Sequence, residues 1–396
     1  MKLQKGFSLI ELMVSMGIVV TVVAIATGTL MQAEHATTAV SYMASTEENL
    51  RAGMHFMVRD LLQAGEGIPQ GGVSIPYTAT SAVNRPGTVA PIATTFPATY
   101  TTLPAITPGY LAGQFATSLN PTTGATLTGV RTDIINILYA DNILQDTANH
   151  YLYSYPIIQA APSTPVCAGT INATGASVTL APACFIMPGK TNPITTGNLI
   201  MFHNQNGTAL EYVTSVAGQT INFSAGDPAG LNQTGKTFGT VANLATSPGV
   251  FPPTIVTRVW MVTYYIDATN VQNPQLIRQV NYPNYPAAAP VNPPIAIADD
   301  IENLAFSYAI DSSTDPAGTY GTTNFTNGSG NAPQPILPDT PAQIRAANVF
   351  LAGRSENTYT ALSTPQYMRN NLSTQVSIRS LSFTNQFNTS ASSTAP

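Results

Sequence analysis

The chain has 396 residues, a formal net charge of −5 and a pI near 5.3, yet only 8% of its residues are charged. Soluble domains usually hold about 25%; here Thr, Asn, Ser, Ala, Pro and Gly take that place, so the expected surface is neutral and polar. This balance excludes nucleic-acid binding through bulk charge, because no basic field exists to gather phosphates.

Lys2, Lys5 and Gly6 precede an apolar run over residues 7–31, in which Ser8, Ser15, Thr21, Thr27 and Thr29 are the hydroxyls and Glu11 is the sole ionisable side chain. As a helix rising ~1.5 Å per residue the run reaches ~37 Å, more than the ~30 Å hydrocarbon core of a bilayer. The two lysines hold its start in the cytoplasm, which predicts a single pass with the rest of the chain on the other side. A carboxylate in such a segment costs roughly 2.5–3.5 kcal/mol at the bilayer centre and less near its edge, and it calls for a cationic partner. A secretory signal peptide cut at Ala24-Ile25-Ala26 is the alternative. Glu11, low in the apolar stretch, and helical patterning that continues past residue 26 both oppose it.

The segment KGFSLIELMVSMG resembles the class III leader and mature N-terminus of type IV pilins and type II secretion pseudopilins. The resemblance implies that a prepilin peptidase cuts after Gly6 and N-methylates Phe7. It also implies that Glu11 neutralises the N-terminal amine of a neighbouring subunit during assembly. Pairing fits the physics: a lone carboxylate and a lone ammonium are each costly in a low-dielectric bundle, and together they cancel that cost. Gly28 stands where many major pilins carry proline, and glycine permits a bend without imposing one.

Beyond the apolar run, Val40, Met43, Leu50, Met54, Met57 and Leu61 form one stripe, with Glu47, Glu48, Arg51, Arg59 and Asp60 between them. This pattern predicts an amphipathic continuation of the helix. Gly65-Glu66-Gly67-Ile68-Pro69 ends it, since glycine suits a C-cap and proline forbids continuation. A helix over residues 7–64 is ~87 Å long at the same rise. The block RAGMHFMVRDLLQAG resembles the end of the long helix in PilW-type minor pilins. A tyrosine-rich segment TRVWMVTYYID, an arginine-bearing LIRQVN, then IADDIENLAFSYAID, IRAANVFLAGRSE and RNNLSTQVSIRSLSF resemble the same family. The likeness covers residues 1–66 and 255–387 and fades between them.

Residues 67–129 are rich in Thr, Pro, Ala and Gly, with Arg85 as their sole charge. So long a connection is expected to be a surface insertion with short strands or a mobile loop. Strands are expected at residues 130–140, 151–158, 198–204, 210–216, 220–224, 255–267, 275–282, 301–311, 346–354 and 374–386, several of them alternating apolar and polar residues. Asn206-Gly207 and Ala217-Gly218 suggest a small meander. Cys167 and Cys184 are the two cysteines. On the outer side of a membrane they are expected to pair, adding ~3 kcal/mol by loop entropy; two unpaired thiols are the alternative. Residues 312–340 form a second Thr/Gly-rich loop, and 388–396 a disordered tail.

The expected fold is therefore α+β and pilin-like: a long N-terminal helix, its first half transmembrane, packed on an antiparallel sheet head with long loop insertions. The divisions are a leader at 1–6, a transmembrane half-helix at 7–33, a periplasmic half-helix at 34–66, the insertion at 67–129, a β-rich head at 130–387 and the tail.

Chemistry has little to stand on. His35, His55, His150 and His203 are scattered, and no nucleophile elbow, P-loop or C-x-x-C motif occurs. No enzyme and no cofactor are expected. Asp311, Ser313 and Asp315, before Gly318, have part of a calcium loop's spacing, but Pro316 stands where glycine is needed and no Glu closes the loop. Asp299, Asp300 and Glu302 read as a solvated start to a strand. The resemblance implies a minor pilin at or near the tip of a type IV pilus, stored in inner-membrane lipid with its head in the periplasm and then exported in the fibre. There it would prime assembly, with adhesion, twitching motility or DNA uptake downstream. Its implied partners are other minor pilins, the major pilin, prepilin peptidase and a PilY-type tip adhesin. A J-type minor pseudopilin of type II secretion shares the N-terminus, although its heads are usually smaller. A secreted soluble β-domain is the reading if the signal-peptide alternative holds.

Overall fold

In a computed structural model of the chain, the expected helix runs unbroken from Leu9 to Gln63 as α1, straight through Gly28. The structure describes residues 8–69, 71–76, 83–87, 95–96, 100–119, 126–141, 155–157, 169–180, 194–233, 236, 238–282, 293–311, 320–323, 341–360 and 366–382. Ala64 caps α1, and Gly65 follows at φ +77°, the left-handed geometry that favours glycine. The Gly65 N–H then donates to Leu138 O at 2.9 Å, and Glu66 O accepts from Ala140 N at 2.7 Å, so the helix exit is stitched to a strand.

The strands among the described residues are β1 (Val73–Ser74), β2 (Thr102–Leu103), β3 (Ile106–Gly109), β4 (Phe115–Leu119), β5 (Thr126–Arg131), β6 (Ile134–Ala140), β7 (Tyr155–Ile157), β8 (Gly169–Ile171), β9 (Ser177–Leu180) and β10 (Leu199–Asn204). They continue with β11 (Gly207–Tyr212), β12 (Ser215–Ala217), β13 (Thr220–Asn222), β14 (Thr254–Asp267), β15 (Gln275–Val280), β16 (Ile295–Ala298), β17 (Ile301–Asp311), β18 (Tyr320–Thr323), β19 (Ile344–Tyr359) and β20 (Gln366–Ser377), before a short helix α2 (Arg379–Ser382).

β14 is the spine of the largest sheet. Along one side it pairs first with β10 (Val259 opposite Leu199) and then with β15 (Tyr264 opposite Arg278); along the other it pairs with β7 and then β6 (Tyr264 opposite Ile135). β11, β16 and β3 extend the sheet outward from β10, β15 and β6. A second sheet runs β18-β17-β19-β20, a third β12-β13-β9-β8, and two hairpins, β1/β2 and β4/β5, complete the set. Every pairing is antiparallel. The main core lies where α1 meets the inner faces of both large sheets: Leu50, Met54, Met57 and Leu61 pack with Ile137, Val262, Leu276, Leu304, Val349 and Leu351. One long helix on antiparallel sheets is the α+β, pilin-like arrangement the sequence leads one to expect.

Several expectations need correction. The stripe is buried only in its second half, for Val40 is 67% and Met43 48% exposed. The strand expected at 130–140 breaks at Thr132 and Asp133, where the Asp133 carboxylate turns inward to accept the N–H groups of Leu111 and Phe306 at 2.7 and 2.8 Å. The strand expected at 374–386 already begins at Gln366 and ends at Ser377. Ile378 is buried and donates its N–H to Arg345 O, after which the chain turns as α2 and lays Ser380 and Leu381 over the end of α1. The described parts of 67–129 are woven into the fold. There β3 joins the main sheet beside β6, and Val73, Ile75, Val83, Phe96 and Leu103 share a core with β10, β11 and β14. Arg85 is buried with them, donating to Asn136 Oδ1 and Pro108 O and stacking on Phe96. Irregular spacing among Thr and Pro hid these apolar positions.

Candidate assembly site

The first half of α1 stands clear of the head, with Leu9, Ile25 and Leu30 each about two-thirds exposed or more. Its hydroxyls are satisfied within the helix: Ser15 donates to Leu12 O, Thr21 to Ile18 O, Thr27 to Val23 O and Thr29 to Ala26 O, all at 2.8–3.0 Å. This back-bonding leaves Glu11 as the one polar group whose demand the segment cannot meet by itself. Glu11 is the third helical residue, and its Oε2 accepts the Ser8 N–H at 3.2 Å. Among the described residues no cation stands within ion-pair distance of it. The helix is long and apolar enough to cross a membrane.

The second half of α1 is bound to the head through a buried polar clamp that sequence reasoning missed. Asp60 is fully buried. Tyr264 OH donates to its Oδ2 at 2.6 Å, Arg278 Nε donates to the same oxygen at 2.7 Å, and Arg59 Nε lies 3.5 Å from Oδ1. Burial and the adjacent carboxylate push the Tyr264 phenol far up. Burial opposes the charge of Arg278, but the hydrogen bond and charge of Asp60 outweigh it and hold the guanidinium protonated. Tyr264 and Arg278 are directly opposite across β14 and β15, so register delivers both to the helix. The signal was present: Asp60 follows Met57 by three and precedes Ala64 by four, which puts it on the apolar stripe.

Among the described residues many of the head's charges are buried. Arg258 pairs with Asp141 at 2.5 Å and stacks on Trp260. Glu211 is buried, and desolvation pushes its carboxyl well up. Asp300 is buried beside Arg354, whereas Asp299 is exposed, so the acidic cluster expected to be solvated is only partly so. Burial pushes the Asp133 carboxyl up to about 6 despite its two backbone donors. Asp133 also lines a shallow cleft of about 440 Å³ with Tyr110, Arg131, Asn303, Asn348 and Phe350.

The remaining candidates fall as follows. Gly6, Phe7, Cys167, Cys184, Ser313, Asp315 and His150 lie outside the described residues. Asp311 ends β17 opposite Tyr320. His35 is half-buried, while His55 and His203 are exposed and apart. Among the described residues no group of three or more His, Cys, Asp or Glu is arranged to hold a metal ion.

No curated protein and no solved structure gives a significant match to this chain. Residues 1–27 match the family described as the prokaryotic N-terminal methylation motif, a prepilin-type leader. With the long apolar helix that follows it, this match supports a type IV pilin-like or pseudopilin-type protein, a membrane-anchored structural protein that prepilin peptidase processes.

Proposed function

We propose that the chain is a minor pilin of a type IV pilus, of the PilW type, which joins the fibre at or near its tip and helps to start assembly. The observation that carries the reading is the exposed apolar half-helix with a single carboxylate, Glu11, near its start and, among the described residues, no cation beside it. Cleavage after Gly6 frees the Phe7 amine, and the Glu11 of an incoming subunit neutralises the amine of its neighbour, which sets the axial register. In the bilayer each group alone is costly, so pairing drives docking. Three of the PilW-like blocks supply Asp60, Tyr264 and Arg278, and their meeting at one clamp supports a helix and head kept in fixed relation. Before assembly the head sits in the periplasm, where Cys167 and Cys184 pair. Other minor pilins, the major pilin and a PilY-type adhesin are the partners of the assembled tip.

Intact-mass and N-terminal analysis of the protein from host membranes tests the reading. A chain beginning at N-methylated Phe7 supports it, and one beginning near Thr27 overturns it. Recovery in sheared pili, rather than with a secretion apparatus, separates a pilin from a J-type pseudopilin.

A further inference from the structure

β19 runs antiparallel to α1 along the whole soluble half of the helix. Its start lies at the helix end, where Ile378 bonds Arg345 and α2 covers Ala64; its middle passes Gly53 and Leu50 at Leu351 and Gly353. β17 stops pairing with it at Gly353, but the β19–β20 hairpin continues, with Thr358 opposite Tyr367 and Tyr359 opposite Gln366. A register shift between Arg354 and Thr358 leaves four residues of β20 beyond Asn370, as far as Gln366, to carry this arm ~13 Å past the sheet. The end of the arm meets the helix where the rings of Tyr359 and His35 lie edge-on at 6.4 Å. The helix face along this stretch, His35, Thr38, Ala39, Tyr42 and Thr46, is half-buried or buried.

The arm is fixed at its root and uncharged at its end. At the root Arg369 grips Glu302 through Nε at 2.8 Å and Nη2 at 3.2 Å. Arg354, fully buried, stacks on Tyr367 at 4.3 Å and donates to Val271 O and Gln272 O. The described residues at the end are Asn357, Thr358, Tyr359, Thr360, Gln366 and Tyr367. The guanidiniums of Arg354 and Arg369 both lie over the Tyr367 ring, at 4.3 and 5.9 Å, whereas Glu356 stands three residues before Tyr359, ~10 Å back along the strand. Residues 12–31 of the helix span ~30 Å, the thickness of the hydrocarbon core. That placement puts Glu11 at one edge of the core and Met31 at the other. His35 and Tyr359 then sit ~6 Å beyond Met31, inside the headgroup layer, which is roughly 5–8 Å deep on each side. Tyrosine favours that layer, where its ring meets acyl chains and its hydroxyl meets water.

We infer that the β19–β20 arm, through Tyr359, makes a lipid-interface contact that seats the head on the outer face of the membrane while the subunit is stored there. The inference rests on the membrane reading of α1. It adds a second, peripheral contact that fixes the tilt of the head and that extraction into a fibre must break.

The test uses the full chain in vesicles of phosphatidylethanolamine and phosphatidylglycerol doped with lipids brominated either near the headgroup or near the acyl terminus. Trp260, the single tryptophan, lies by the far end of α1 opposite Tyr139 and serves as the head control. In a Trp260→Phe background, Tyr359→Trp is expected to lose roughly half its emission to the shallow bromines and little to the deep ones. A Val22→Trp variant is expected to be quenched most by the deep bromines. Should Trp260→Phe not fold, Tyr359→Trp in the unaltered background reads as added quenching over the parent. Quenching at residue 22 without quenching at 359 overturns the inference and leaves the membrane reading standing; no quenching at residue 22 overturns both.

Discussion

Replacing Asp60 by alanine removes the acceptor for two buried donors at once, Tyr264 OH and Arg278 Nε. The Arg278 side chain is 14% exposed, so water replaces little of what is lost. Breaking one partner out of a buried ion pair costs about 3–5 kcal/mol, because the remaining charge stays desolvated. With an m value of about 3 kcal/mol per molar urea, that cost moves the unfolding midpoint down by about 1 M or more. The assay is urea unfolding of the full chain in non-ionic micelles, followed by Trp260 emission, with Glu47→Ala on the exposed helix face as the control. Combining Asp60→Leu with Arg278→Met exchanges the pair for apolar volume and restores most of the loss. A residue of about 1–3 kcal/mol remains for the stranded Tyr264 hydroxyl, and adding Tyr264→Phe closes that gap. A midpoint for Asp60→Ala no lower than that of Glu47→Ala refutes the claim that this clamp seats the helix.

Glu11→Ala is expected to leave the mature N-terminus unchanged and to abolish recovery in sheared pili; incorporation at the normal level counts against pairing of Glu11 with a neighbour's amine. At Gly53 an added Cβ falls 2.8 Å from Leu276 Cδ2 and 3.3 Å from Leu351 Cδ2. Gly53→Val should therefore overpack the helix seam and destabilise by about 1–3 kcal/mol in the same urea assay. Burial raises the Asp133 carboxyl to about 6 in the folded chain from its ordinary 3.8. The unfolded chain thus binds fewer protons between these values, and stability is full below about pH 4 and falls as pH rises through about 6, by roughly 3 kcal/mol. Asp133→Asn should remove that part of the slope; parallel pH profiles for parent and variant would exclude Asp133 as its source.

Much of this architecture was legible because its signals are local. The length and apolarity of α1, its stop at Gly65 and the alternation along β14, β15 and β17 all follow from residues close in sequence. What escaped depends on partners far along the chain. Asp60 reads as a surface carboxylate until Tyr264 and Arg278 arrive beside it, about two hundred residues later. Val40 and Met43 continue the stripe, yet among the described residues no sheet covers them. Alternation past Ser377 promised more strand, but Ile378 had a pocket to fill at the helix end and the chain turned there. Residues 67–129 look like decoration because Thr and Pro dominate them, although a few apolar residues and one arginine suffice to anchor the segment in a core. At the N-terminus the leader and Glu11 were readable as a motif, since their chemistry needs no tertiary partner within the same chain.

The antiparallel run of α1 beside β19 also has a mechanical meaning. A pull along the helix axis from its apolar end reaches the head as shear, spread over the contacts from Leu50 to Ala64 and over the Asp60 clamp. Those contacts must yield together rather than peel one by one. Load applied across the axis would instead unzip them in sequence, so the joint is stiff along the axis of the helix and weak across it.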